Sequence, residues 1–219
     1  MPDRENAGPR VNPLPRKERE RLQREREILE AAERVFSRRG FFAAQVSEIA
    51  KEAEFAVGTL YSFFKSKEDI YRRLVEEKFR ECIAKYKQAA ESADGDPRLQ
   101  IERLIEAKVE YFLDNKAFFR IYVTEFRGMG HSLQRELRGE LASLYDEYLL
   151  WLSDIFRDGV RAGIFVEMDP DALSTALEAV SNSALVRYLR SGQEASPSQM
   201  TDAIRKILFE GILVSRRAS

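Results

Sequence analysis

Tyr61, Lys65 and Lys67 set a phenol and two ammonium groups within seven residues, and Thr59 and Ser62 add two hydroxyls beside them. Such side chains hold phosphate oxygens or hydrogen-bond to base edges. Catalytic chemistry has few parts to work with, because the chain holds one histidine, His131, and one cysteine, Cys82. Gly130, His131, Ser132, Leu133 and Gln134 approach the nucleophile elbow Gly-x-Ser-x-Gly, but the final glycine, a preceding strand and a second histidine are missing. A glycine-rich phosphate loop and an HExxH pair are absent too, and one histidine with one cysteine cannot build a Cys/His zinc site. No enzymatic activity, metal or cofactor is therefore expected.

The polar residues above fall within 41–67, which carries two short apolar periods rather than one long one. Val46, Ile49, Ala50 and Ala53 make the first, and Val57, Leu60, Tyr61 and Phe64 make the second after a break at Glu54, Phe55 and Ala56. That spacing predicts a helix-turn-helix. The small Ala50 allows close helix approach, and Gly58 and Thr59 leave room for DNA at the start of the second helix, whose width suits a major groove. Leu60, Phe63 and Phe64 are expected to pack inside. By spacing alone, Thr59 and Ser62 fit a solvated face as well as a base-reading one, and Lys65 and Lys67 fit plain surface charges.

The surrounding chain predicts an all-α protein of about nine helices. Its 219 residues include only 11 glycines and 7 prolines, so helix breakers are scarce. Asp96, Asp169 and Ser196 each precede a proline, the pattern of an N-cap followed by Pro at the first helical position. Gly40, Gly163 and Gly192 mark helix ends, and helices are predicted over 17–39, 96–115, 131–162, 169–191 and 196–215. Ser66 opens a capping-box pattern and a helix running to about residue 91, while the aromatic stretch 118–126 predicts a shorter one. Residues 1–67 carry 14 Lys/Arg against 11 Asp/Glu, which makes the N-terminal end the basic one. The mixed-sign run over 16–26 reads as a solvated helix face, and 1–16, with four prolines, as a disordered arm whose Arg10, Arg16 and Lys17 have a minor groove as their alternative. The longest stretch without Asp, Glu, Lys or Arg is 55–64, too short to span a membrane, and no secretory signal is visible, so the cytoplasm is expected.

The segment 28–70, with ILEAAERVFSRRGF followed by VSEIAKEAEFAVGTLYSFFKSKEDI, resembles the DNA-binding domain of the tetracycline-repressor (TetR) family of bacterial transcription regulators. The resemblance implies a three-helix helix-turn-helix domain over 17–67, joined to an effector-binding and dimerisation domain over 68–219. It implies a recognition helix near 57–64, with Val57, Gly58, Thr59 and Ser62 near bases and Tyr61 and Lys67 on phosphates. Lys65 is a further phosphate candidate. Glu54 stands where the family usually has a turn glycine, and Ala56 where it often has a capping serine.

Aromatic residues crowd the middle of the chain, and such a stripe fits a packed core as well as a ligand pocket. The family's habit of binding small effectors there makes Phe112, Phe119, Tyr122, Phe126, Tyr148 and Trp151 the pocket candidates. In the last two helices, small and apolar residues at Ala176, Val180, Ala184, Ile204, Ile207, Leu208, Gly211 and Ile212 form faces that one partner helix cannot cover, which predicts a homodimer interface. The expected whole is a dimeric regulator, acting as a repressor released from a pseudo-palindromic double-stranded operator by a small hydrophobic effector. An enzyme built on the aromatic region and a protein-interaction module without a ligand are the competing readings.

Overall fold

The computed structural model describes residues 15–125, 131–191 and 196–212. Their regular structure consists of nine helices: α1 (Arg16–Arg39), α2 (Val46–Glu52), α3 (Val57–Phe63), α4 (Lys67–Glu91), α5 (Pro97–Asp114), α6 (Lys116–Glu125), α7 (His131–Arg161), α8 (Pro170–Ser191) and α9 (Pro197–Ile212). No helix among the described residues is long and apolar enough to cross a membrane. Of the arm expected over 1–16, Arg16 instead begins α1 and residues 1–14 lie outside the described residues, as do the expected stop at Gly192 and the final residues 213–215 of the last predicted helix.

Helix boundaries follow local chemistry. The Asp96 carboxylate accepts from the N–H groups of Arg98 and Leu99 ahead of α5, and Ser66 Oγ accepts from Asp69 N at 3.2 Å ahead of α4. Ser196 Oγ and the Gln199 side chain cap α9 reciprocally at 3.3 and 3.0 Å. Gly40 closes α1 with φ 75, a region most side chains avoid.

Two hydrophobic cores result. The first joins α1, α2 and α3 through Ile28, Val35, Phe36, Ile49, Ala50 and Leu60. The second joins α4, α5, α7, α8 and α9 around Leu104, Phe112, Leu152, Phe156, Leu177 and Ile204. Helix α4 belongs to both, with Ile70, Tyr71, Leu74 and Val75 in the first and Cys82, Ile83 and Tyr86 in the second. A domain boundary at residue 67 therefore cuts the first core short. Phe118 and Ile121 of α6 also enter that core, from the far side of the sequence.

Gly159 marks the tightest approach in the second core. A Cβ there would lie 2.2 Å from the Phe165 ring, which is fully enclosed and packs on Phe156 with centroids 5.2 Å apart. Gly159→Ala is expected to destabilise the protein by about 1–3 kcal/mol through overpacking, measured by denaturant unfolding.

Candidate nucleic-acid interface and ligand cavity

Helix α3 buries Leu60 and Phe64 follows it inward, which leaves Val57, Gly58, Tyr61 and Ser62 on the exposed side and Thr59 half-buried. A side chain added at Gly58 would meet nothing within 4 Å, so this end of the helix is open. The Ser62 hydroxyl donates to the Thr59 carbonyl at 2.6 Å, and its remaining capacity is as an acceptor. Tyr61 is 56% exposed. Lys65 is exposed, and its backbone N–H donates to Asp69 Oδ2 at 2.9 Å.

The Lys67 ammonium is engaged within the protein. It donates to the carbonyls of Phe41, Phe42 and Ala44 at 2.8, 3.1 and 3.0 Å and lies 4.7 Å from the centre of the Phe41 ring. All three donors of the ammonium are thereby used. The side chain expected to hold a phosphate instead ties the start of α4 to the turn between α1 and α2. A second tie is made by Glu52 of α2, which accepts from Arg38 at 2.6 Å and Arg34 at 2.8 Å on α1. The hydrogen bond from Arg38, then that from Arg34, holds the Glu52 carboxyl down to about 2.

Sequence reading gives the 16–26 run a solvated face and offers only Arg16 and Lys17 of it to DNA. Lys17, Arg21 and Arg24, at helical spacing, line the same open groove as Thr59 and Ser62 of α3. All three are exposed, and none is in an ion pair among the described residues. The i, i+4, i+7 spacing was legible, but the mixed signs of the run hid which charges share a face. Glu18 and Glu20 line the groove as well, Glu20 paired with Arg16 at 2.7 Å, so the three cations outnumber the carboxylates there without being separated from them.

In the second core, a cavity of about 430 Å³ lies among α4, α5, α6, α7 and α8. That volume falls within the roughly 300–1,000 Å³ of small-molecule sites. Phe112, Phe119, Tyr122 and Tyr148 line it, as do Phe79, Ile83, Leu185 and Leu189. Trp151 does not line it: the indole stacks on Tyr148 at 5.9 Å and lies under the Lys87 ammonium on the outer side. Phe126 lies outside the described residues. Among the wall residues that sequence reading missed are two charged ones, Lys108 of α5 and Glu178 of α8, joined at 2.5 Å while the Tyr148 hydroxyl donates to the same carboxylate oxygen at 2.8 Å. Burial pushes the Cys82 thiol in this wall up to about 11, so it stays protonated.

Of the residues expected at a dimer interface, Ile204 and Leu208 face inward, at 0% and 4% exposure in the protomer's own core. The α9 face they occupy is satisfied within the chain. Ile207 is 61% exposed and Ala176 is exposed, while Val180 and Ala184 are half-buried. Gly211 and Ile212 belong to α9, but their exposure is not described, nor is that of His131 and Ser132 in the first turn of α7.

Residues 28–74 match the family described as "Bacterial regulatory proteins, tetR family", and residues 94–212 match the "Tetracyclin repressor-like, C-terminal domain". The chain belongs to the TetR family. It is a helix-turn-helix transcription regulator that binds DNA. Among relatives of this TetR-family regulator, the "Fatty acid metabolism regulator protein" of Bacillus subtilis is 27% identical over 85% of this chain and 94% of its own. The HTH-type transcriptional regulator YfiR of the same organism is 30% identical over 67% of this chain and 70% of its own. The fold is shared with the transcriptional regulator FadR from Bacillus subtilis, solved in complex with stearoyl-CoA: TM-score 0.73, 22% identity, 85% of this chain and 98% of that one.

Two departures of this TetR-family regulator from the usual helix-turn-helix pattern have visible structural consequences. Glu54, standing for the turn glycine, is held at φ 59. Ala56, standing for the capping serine, leaves α3 without a side-chain cap. Glu54→Gly is expected to stabilise the domain by roughly 0.5–1 kcal/mol, the relief of left-handed strain less the entropy of a freer unfolded chain. Ala56→Ser supplies an acceptor for the first turn, worth about 1 kcal/mol. Thermal unfolding of the single and double variants checks both, and the gains should nearly add unless the adjacent sites couple.

Proposed function

We propose that this regulator works as a twofold dimer that occupies a pseudo-palindromic operator and releases it when a small hydrophobic molecule fills the cavity. The observation that carries this reading is the two-sided role of α6. Phe118 and Ile121 pack into the DNA-binding core, and Phe119, Tyr122 and Val123 of the same helix line the cavity. Phe79 of α4 lines the cavity and packs against both cores. A ligand that prefers one placement of α6 and α4 thus biases the placement of the helix-turn-helix. Two recognition helices must sit about 34–36 Å apart to enter successive major grooves, so a small tilt in each protomer spoils the fit. A coupling of about 1–3 kcal/mol would weaken operator binding roughly 5- to 150-fold.

Within this reading Val57, Gly58, Thr59 and Ser62 face bases, and Tyr61, Lys65, Lys17, Arg21 and Arg24 face phosphates. The family name of the Bacillus subtilis relative and the stearoyl-CoA held by the solved neighbour support an effector with a long apolar chain. Regulation of this kind is a set of linked binding equilibria on DNA in the cytoplasm, and no catalytic step is assigned to the chain. The exposed Ile207 and the small residues along α8 support the dimer.

Genome-wide capture of DNA by the purified protein yields the operator, and titration of that operator with apolar-chain compounds tests release. Compounds that bind the protein but leave operator affinity unchanged would overturn the linkage. Ile207→Glu is expected to dissociate the dimer without disturbing the protomer core. A wild-type protein that sediments as a monomer at micromolar concentration would sink the dimer.

A further inference from the structure

We infer that the cavity selects an effector whose polar group carries no net charge, an ester, thioester, amide or alcohol oxygen on an apolar chain, because the walls already hold a complete ion pair. The inference rests on reading the cavity as the effector site. Lys108 and Glu178 are 2% and 4% exposed, 70 residues apart in sequence, and meet at 2.5 Å in a wall whose other residues are aromatic, aliphatic or, at Cys82 and Asn182, neutral. Their charges cancel.

The arrangement leaves no room for a second charge of either sign. The Lys108 ammonium sits 5.1 Å from the Tyr86 ring centre and 5.9 Å from that of Tyr148, so the chain's own cation fills the aromatic cage that would attract a ligand cation. Glu178 is matched by that ammonium and by the Tyr148 hydroxyl. A ligand carboxylate entering this space would share one ammonium with Glu178 and leave one negative charge unbalanced in a largely apolar wall; a ligand ammonium would leave one positive charge unbalanced in the same way. An unpaired buried charge is costly, whereas a neutral oxygen needs only one donor. Lys108 has donors to spare, since its one hydrogen bond, to Glu178, uses one of its three. A neutral acceptor can take one of them while the pair stays intact.

The test is titration calorimetry on the full-length protein with four probes of one chain length, each below its micellar concentration: methyl dodecanoate, dodecanol, dodecanoate and dodecyltrimethylammonium. The two neutral probes are expected to bind at least about tenfold more tightly than either charged one. Equal or tighter binding of dodecanoate or of the quaternary ammonium overturns the inference while leaving the cavity as the effector site. Failure of all four to bind overturns both. A second arm uses Glu178→Gln, which leaves the Lys108 charge unmatched and should raise dodecanoate affinity until the order of ester and carboxylate reverses. A third uses Lys108→Met with Glu178→Met, which should keep neutral probes bound within a few fold and does not depend on surviving a lone buried charge. An unchanged order of probes in folded Glu178→Gln would show that the pair is not the selector.

Discussion

Replacing Lys17, Arg21 and Arg24 together with alanine is expected to cut the salt dependence of DNA binding by about 2.7 in log–log slope per protomer, since each neutralised phosphate contributes about 0.9. Between about 50 and 200 mM salt, that slope corresponds to roughly a 40-fold share of affinity per protomer, lost alike on operator and on unrelated duplex. The three cations, with Glu18 and Glu20, border the same groove as Thr59 and Ser62, so on the proposed reading a duplex held by α3 runs past them. Spanning seven residues at about 1.5 Å each, they cover about 10 Å along α1, enough to follow one strand across neighbouring phosphates. Thr59→Ala, by contrast, should relax discrimination at a base position with little change in slope. Lys67→Ala should behave as neither. Its ammonium is bound to three carbonyls, so its loss is expected to leave the salt slope unchanged and to cost roughly 1.5–3 kcal/mol of stability. A salt titration of the triple variant that parallels wild type would remove α1 from the interface. A slope that falls by about one unit in Lys67→Ala would return that residue to the phosphates.

Lys108→Met is expected to destabilise the protein by about 3–5 kcal/mol, the largest loss predicted for any single substitution here. The cause is the partner left behind: Glu178 at 4% exposure keeps the Tyr148 hydroxyl as a donor but loses the charge that balances it. At about 2–4 °C per kcal/mol for a chain of this size, the midpoint of thermal unfolding should fall by roughly 6–20 °C. Lys108→Met with Glu178→Met removes both charges and should recover most of the loss, because a buried pair replaced by apolar side chains of similar volume is often neutral or better. A double variant as unstable as the single one would mean that the pair itself, rather than the stranded charge, carries the stability. Stability measured this way is independent of any ligand, so it separates the structural role of the pair from its role in choosing one.

Much of the site was legible because its signals are local. The two short apolar periods, Gly58 and Thr59 at the start of the second, and the departures at Glu54 and Ala56 all sit within one or two helical turns. The uncapped α3 follows from the alanine at position 56, whereas the turn imposes φ 59 on Glu54 against its own preference. Helix ends at Asp96, Ser66 and Ser196 were legible for the same reason, since a cap acts on N–H groups two or three residues away. Four of the aromatic residues proposed for a pocket do line the cavity. Trp151 does not, because a stripe of aromatic residues defines a helix face only to within a turn, and the indole falls on the outer side of Tyr148.

The amino-acid sequence by itself determined the helices and the helix-turn-helix, through propensity, caps and periodicity that act over a few residues, and the resemblance of its 28–70 segment pointed to the family. Tertiary structure decided which charges are partners and which are free. Lys67 meets carbonyls 23 to 26 positions away, Lys108 meets Glu178 70 positions away, and Ile204 is enclosed while Ile207, one turn on, is exposed. Each of these depends on how whole helices pack, and a rotation of one helix by a fraction of a turn would exchange the partners without altering any local signal.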